Sequence, residues 1–464
     1  MKIAQKSRQK TSKRIGYNFY SLGNGIYRVS GPDGALSAYL VETSVGLIQI
    51  NTVPELLKTY FPHLQKLPVA ICMTQPMINQ IGDSQTGFEF ELWLSRFIDF
   101  QSPHRVKFIG QEPFIKSLYT RLEITMNGDF VSDEKGHKQV RFIDKKWVDD
   151  VFDWCPTDTT YIIGSVTLDM SNPKAVKIYD KNHLVFDSDQ YAAAYQNDLA
   201  SLYVETLLSQ VQPLYNDKET LSLTVGGTGI GTRPGITSNF IFYYRDRLIW
   251  VDPPARLYEK AVKYQVHPDQ VTEYMITHCH EDHIEGFSAI LKRKIDLGLK
   301  LPLISSKPVY EQLKQIFDPL FGDISQHISF LDIYDRSIFA NYYGCNIEAR
   351  ENYHTLPTIG LRLTFNDRQI SISGDVLYRR DIIDARLENG DIDRENYQIQ
   401  SPEWFADSEI LLHDTTVAKD PVHTDLEDVE QIAQELPNVK VYSYHFGNSF
   451  ESNYVIPALN GLKL

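Results

Sequence analysis

The segment Thr277-His278-Cys279-His280-Glu281-Asp282-His283 sets three imidazoles and an aspartate within six positions. Imidazoles two residues apart at a strand end can face one ion. The adjacent Asp282-His283 pair, turning into a helix, can face a second. Nitrogen and carboxylate donors of this kind suit zinc, with manganese or iron as alternatives. The same residues are hard to place in an apolar core without a metal, because each imidazole would need its own hydrogen-bond partner. Cys279 lies between two candidate ligands and alternates away from them, so it is expected to pack in the core. Of the 13 histidines, seven stand at motif-like places in the second half: 278, 280, 283, 354, 413, 423 and 445.

The elements that must position this cluster can be read around it. The apolar run "EYMIT" predicts a strand before it, and "IEGFSAILK" a helix after it. Further helices are predicted over 308–317 and 426–436. "LRLTFNDRQISISGDV" (361–376) reads as two strands about a polar turn, ending at Asp375. Strand pairs followed by strands alternating with helices imply mixed sheets with helices outside.

An internal repeat underlies this order. "SAYLVETSVGLIQINT" (37–52) aligns without a gap on "SNFIFYYRDRLIWVDP" (238–253), so that Asn51 meets Asp252. "MTQPMINQIG" (73–82) falls on the histidine motif, Thr74 on Thr277. "VKFIGQEP" (106–113) matches "LPLISSKP" (301–308). "AVKIYDKNHLVFDSDQ" (175–190) matches 361–376, Asp189 on Asp375. Four matches in one order indicate a duplication. In the first copy Gln75, Met77, Asn79 and Gln80 replace the four ligands. The hairpin offset sets Leu168 at the place of His354. Amides and a thioether cannot supply the charge that holds a dication, so the first half is expected to hold no metal and to be inert. The predicted organisation is a basic tail (1–14), a degenerate domain (15–205), a linker (206–221) and a catalytic domain (222–464).

Composition narrows the setting. The 464 residues suit two domains at ~100–200 residues each. A net charge of −14 argues against a general nucleic-acid binder, which needs clustered Lys and Arg. Four dispersed cysteines form no disulfide framework, and no secretory signal or membrane-length apolar run is present. A cytoplasmic setting without membrane contact is expected. Lys307 and Arg350 could meet an anionic substrate, but surface placement is the expectation for both.

With H-x-H-x-D-H on the page, the second half resembles the metallo-β-lactamase superfamily. The resemblance implies an α/β fold, an αββα sandwich, in tandem here with the first copy degenerate. It implies two divalent metal ions at one sheet edge. One would take His278, His280 and His354; the other Asp282, His283 and His445; Asp375 would bridge them. Two cations sharing one water would lower its pKa and make a bridging hydroxide available for attack. Asp282 could be both ligand and proton acceptor. The stretch 410–449, with His413-Asp414-Thr415-Thr416, His423 and His445, is similar to the end of ribonuclease Z and related phosphodiesterases, as is the Gly-rich "GGTGIGTRPGITSNF" (226–240). That branch implies a catalytic His423 handling the scissile phosphate or leaving oxygen, with His413 and Asp414 supporting from behind.

Two departures bear on substrate. The usual His-Glu is His-Asp here. Only 20 residues separate His354 from Asp375, so the tRNA-gripping arm of ribonuclease Z is missing from that interval. The expected activity is therefore phosphodiester hydrolysis on a small nucleotide or phosphodiester. Alternatives are tRNA 3′ processing, with nucleic acid as partner, a diiron oxygen-activating oxidoreductase, an ester, lactone or thioester hydrolase, or a binding module. An oligomer is compatible with all of them.

Overall fold

The computed structural model describes residues 12–16, 18–30, 37–53, 56–74, 105–125, 128–132, 138–142, 148–157, 159–172, 174–190, 204–212, 219–231, 236–390, 392–417, 422–447 and 449–464. Gln75, Met77, Asn79 and Gln80 lie outside these residues, as do most of the basic tail and residues 213–218 of the linker. The chain divides into two compact units, 1–118 with 148–205, and 119–147 with 206–464.

In the second unit, Ser222–Gly227, Asn239–Tyr244 and Arg247–Val251 form an antiparallel meander. Glu273–Met275, Leu301–Ser305 and Ile328–Asp332 then add in parallel. The parallel register requires crossovers, and the helices Leu257–Tyr264, Glu281–Asp296 and Lys307–Phe321 supply them. A second six-stranded sheet begins with the antiparallel strands Cys345–Glu351, Ile359–Phe365 and Arg368–Ile372. It continues in parallel through Ile410–Asp414, Lys440–Tyr444 and Ile456–Pro457.

Alternation along the strands decides the layers. Ile249 and Val251 pack with Leu361, Leu363, Ile370 and Ile372 in the core between the two sheets. Trp250 points to the opposite face of its strand and meets the rings of Tyr264 and Tyr274. On the outside of the second sheet, Leu411 and Val441 pack with Ile383, Val429 and Ile432 from the helices Arg380–Glu388 and Leu426–Glu435. The unit is thus an αββα sandwich, in the α/β class expected. Each fully buried Val, Leu or Ile in it contributes roughly 1.5–3 kcal/mol.

The first unit repeats the strand plan. Ser37–Thr43 and Gly46–Ile50 pair antiparallel, and Pro68–Cys72, Val106–Gly110 and Phe152–Pro156 follow in parallel. A four-stranded sheet packs on it through Val166, Leu168, Ile178 and Phe186. The repeat extends to single hydrogen bonds. Asn51, at φ 61°, donates its N–H to Cys72 O (2.7 Å), and its Oδ1 accepts from Thr74 N and Oγ1, both at 2.9 Å. Asp252, at φ 48°, donates to Met275 O (2.9 Å) and accepts from Thr277 N (2.8 Å) and Oγ1 (2.6 Å).

One positional match needs correction. Leu168 is not the counterpart of His354. It lies inside the strand Val166–Asp169, opposite Ile178 and fully buried. The connections that follow Asp169 and Glu351 run from 170 to 176 and from 352 to 358 before pairing resumes at Lys177 and Ile359. Matching these equal connections sets Asn172 at the place of His354. The ungapped alignment missed this because the strand Lys177–Asp180 has four residues where its counterpart Ile359–Phe365 has seven.

Candidate metal centre

The ligand candidates stand at the ends of five segments on one edge of the second unit. His278 and His280 follow the strand that ends at Met275, and His280 caps the helix that begins at Glu281. His354 lies in the 352–358 connection. Asp375 follows the strand that ends at Ile372, and His445 the strand that ends at Tyr444. His445 holds φ 61°, a left-handed backbone uncommon outside glycine, of the kind stored at functional sites.

Three imidazoles form a tripod. His278 Nε2 lies 3.0 Å from His280 Nδ1, and His354 Nε2 lies 3.2 Å from the same atom. Their rings stand nearly perpendicular to one another, at 81° to 85°. The far nitrogens are each engaged. His278 Nδ1 lies 3.0 Å from Thr277 Oγ1, and His280 Nε2 lies 3.0 Å from Thr355 Oγ1. His354 Nδ1 donates to Val422 O at 3.2 Å. Such contacts fix tautomer and ring orientation in metal-ligating histidines.

The second group is built around carboxylates. His283 Nδ1 donates to Asp252 Oδ2 at 2.8 Å, which turns Nε2 toward Asp375 Oδ2 at 3.2 Å. His445 Nε2 lies 3.4 Å from Asp282 Oδ2 and 3.5 Å from Asp375 Oδ2. Asp375 Oδ2 is also 3.7 Å from His278 Nε2, so one carboxylate oxygen touches both groups. The converging atoms form the sets His278/His280/His354, His278/His283/Asp375, Asp282/His283/His445 and Asp375/His423/His445.

This donor set fits divalent cations. Burial lowers the pKa of His278 and His354 well below the usual imidazole range and that of His280 to about 4. The Nε2 atoms of His278 and His354 both lie about 3 Å from His280 Nδ1, so one proton there could serve them only by sharing, whereas a cation among them would meet all three lone pairs. Burial also opposes charge on His283, but Asp375, Asp282 and Asp252 outweigh it and raise its pKa. Burial works against charge on Asp375 too, yet His445, His283 and His278 hold it well below the usual carboxylate range. Asp375 Oδ1 is buried with no hydrogen-bond partner among the described residues, a state a cation would relieve.

His423 sits at the rim of this cluster. Its ring is 4.4 Å from that of His445 and 5.4 Å from that of His354. Nδ1 donates to Asp414 Oδ2 at 2.8 Å, and Asp414 Oδ1 lies 3.6 Å from His445 Nδ1. Asp414 thus stands behind both histidines. His413 does not join them. Alternation along its strand turns it away, where its Nδ1 donates to Asp414 O at 2.7 Å and burial lowers its pKa to about 4.

The remaining residues singled out in the sequence fall as follows. Cys279 is fully buried with Sγ 3.6 Å from Val309 O, outside every metal group. Lys307 is exposed. Arg350 is not at the surface: it is 2% exposed, with its guanidinium 4.1 Å from the Phe405 ring and donating to Ile399 O at 3.1 Å. Its outward strand face is covered by the chain around Phe405 instead of water. Sequence reasoning missed Asp252, Thr355 and the Val422 carbonyl as supports of the ligands. The alignment of Asn51 with Asp252 within the repeat was the one available signal, and it pointed to Asp252 alone. Gly231 is also part of the site wall, since a Cβ there would lie 2.9 Å from Asp282 Oδ2.

Comparisons with known proteins find distant relatives. The cAMP/cGMP-dependent 3′,5′-cAMP/cGMP phosphodiesterase B of Dictyostelium discoideum is 23% identical over 274 residues, 55% of this chain and 24% of that protein. The cGMP-dependent 3′,5′-cGMP phosphodiesterase A of the same organism is 23% identical over 253 residues, 53% of this chain and 28% of that protein. The chain thus spans about a quarter of the length of the curated relatives it matches. Among solved structures, the metallo-β-lactamase fold protein YhfI from Bacillus subtilis is similar to 53% of this chain over 99% of its own, at 16% identity and a TM-score of 0.42. A long form RNase Z from yeast is similar to 95% of this chain over 72% of its own, at 11% identity and a TM-score of 0.39. The family model of the Anti-Pycsar protein Apyc1 matches residues 221–456, which hold every ligand candidate described above, and the chain belongs to that family.

Proposed function

We propose that the second unit is a dinuclear metal-dependent phosphodiesterase acting on a small nucleotide, with a 3′,5′-cyclic nucleotide as the substrate class. The observation that carries this reading is the pair of buried donor groups joined through Asp375, with the His423–Asp414 pair at their rim. The Dictyostelium relatives, named for 3′,5′-cAMP and cGMP hydrolysis, supply the substrate class.

His278, His280 and His354 would hold one ion, and Asp282, His283 and His445 the other, with Asp375 shared. Divalent ions held there would supply Lewis acidity and a lowered pKa for a bound water. The four positive charges of such a pair exceed the two negative charges of Asp282 and Asp375. A singly charged phosphodiester suits that excess better than a neutral ester does. Thr277, Thr355, Val422 O and Asp252 keep the ligating nitrogens aimed inward. Hydrolysis forms a bond from water oxygen to phosphorus, that water's proton passing to Asp282 or to solvent, and breaks one of the two bonds from phosphorus to a ribose oxygen. That leaving oxygen needs a proton, and His423 is set to give it. Asp414 holds the Nδ1 proton, so Nε2 is the atom that faces outward and can transfer one.

The test is metal analysis of the purified chain with a substrate panel. Two ions per chain and hydrolysis of cyclic nucleotides or bis-p-nitrophenyl phosphate, well above p-nitrophenyl acetate, is the expected result. Two irons with an oxygen-dependent reaction, or a preference for the carboxylic ester, would overturn it.

A further inference from the structure

Glu281 is a carboxylate in the middle of the ligand motif, between His280 and Asp282, yet it belongs to none of the converging metal groups. It is buried, and its Oε2 lies 3.7 Å from Arg121 Nη2. Arg121 is itself only 2% exposed. It comes from the last turns of the helix Glu112–Thr125, within residues 119–147 that group with the second unit. On that helix the polar residues Ser117, Arg121 and Thr125 recur at every fourth position and are all buried. On the helix Glu281–Asp296 the buried polar residues Glu281, Glu285 and Ser288 do the same at four and three. Helix residues at this spacing share a face.

A buried carboxylate one residue from two ligands is a competing ligand. It can enter the coordination sphere or repel Asp282. A guanidinium that pairs with it removes both hazards. It also fixes the first turn of the helix whose cap is His280 and whose next residues are Asp282 and His283. We infer that Arg121 is a positioning residue for the metal centre: by holding Glu281 aside it sets the geometry of the ligands on either side. It lies in the region that the repeat assigns to the metal-free copy. The motif at 278–283 is therefore not self-sufficient, and a chain cut at residue 205 would lose part of its own metal site.

The inference rests on the two-metal reading above, and the test separates them. Full-length wild-type chain, Arg121→Ala, Arg121→Lys and Glu281→Gln are compared by metal content and by zinc retention against a chelator. The expected result is at least a tenfold loss of zinc affinity in Arg121→Ala, the size typical for residues that support ligands. Arg121→Lys, which keeps the charge, should fall between it and wild type. Adding Glu281→Gln to Arg121→Ala should restore part of the loss, because no charged competitor remains. Melting is read with zinc and with chelator. A residue that only braces the fold lowers both midpoints equally, whereas a positioning residue lowers the zinc-bound one more. Zinc affinity within twofold of wild type in Arg121→Ala, or equal lowering of both midpoints, overturns the inference. Absence of metal from the wild-type chain overturns the metal reading instead. If Arg121→Ala does not fold, Arg121→Lys carries the same comparison.

Discussion

His423 and the metal ligands should be separable by what each mutation leaves intact. His423 meets Asp414 and stacks near His445 without being one of the seven proposed ligands. His423→Ala is expected to keep both ions and lose ~10²–10⁴-fold in turnover on a cyclic nucleotide, the usual range for a general acid. The loss should shrink with a p-nitrophenyl phosphodiester, whose phenolate leaves without a proton. An equal loss on both substrates would assign His423 to binding instead. Asp252→Asn tests the support of His283. The first unit already uses Asn51 for the same backbone clamp on Thr74, so the variant should fold. The amide lacks the charge that holds His283 Nδ1–H, and metal affinity should fall about 10–100-fold by chelator competition. Unchanged affinity would show that the clamp, not the charge, is what matters. These residues differ in legibility for a physical reason. His278, His280, Asp282 and His283 are adjacent in sequence, so their types alone imply an ion. Asp252, Thr355 and Arg121 support them from remote segments, and each alone reads as an ordinary turn or helix residue. Arg350 on an alternating strand read as exposed, because sequence does not show which outer face a later helix covers.

At the scale of elements, the strand ends carry the site, and two of them invite tests. Gly374 precedes Asp375 at φ +67°, and a Cβ there would lie 2.3 Å from Ile359 O. Gly374→Ala meets both backbone strain and a backbone clash. It should displace Asp375, reduce metal content at both groups and cost more than about 2 kcal/mol of stability. A variant retaining two ions would show that the turn relaxes without moving the carboxylate. His413, inside the strand Ile410–Asp414, is buried and held neutral, its pKa pushed from 6.5 to about 4. The unfolded chain binds this proton at higher pH than the folded one does. Stability is therefore lost as pH falls from about 6.5 toward 4, by at most about 3 kcal/mol. His413→Gln should flatten that limb: the difference in urea midpoint between pH 7 and pH 5 should be smaller than in wild type. An unchanged difference would mean that His413 charges without penalty. Periodicity did locate the elements, with helices expected over 284–292, 308–317 and 426–436 and found at Glu281–Asp296, Lys307–Phe321 and Leu426–Glu435. It could not see that the strand Lys177–Asp180 is three residues shorter than Ile359–Phe365, which is why the counterpart of His354 came out as Leu168 instead of Asn172.

For the whole molecule, the repeat makes a prediction that neither half makes alone. Both units build the same strand plan and the same clamp between the ends of two neighbouring parallel strands, Asn51 with Thr74 and Asp252 with Thr277. The scaffold of a metal site is therefore present twice. The donors are not. Asn172 stands where His354 stands, and the sequence offers Gln75, Met77, Asn79 and Gln80 for the four ligands of the motif. A dication needs charged or imidazole donors to offset its lost hydration. The expected content is two ions per chain, not four. Binding to the folded second unit alone should then stabilise that unit alone. At free metal a thousandfold above Kd the gain is about 4 kcal/mol per ion, so about 8 kcal/mol for two, or roughly 20 °C for a unit of this size. Calorimetry of the full chain, with zinc and then with chelator, reads this directly. One transition should move by about that amount and the other should stay. Four ions per chain would overturn the assignment of an inert first copy. A shift of both transitions together at two ions per chain would instead show that the units melt as one.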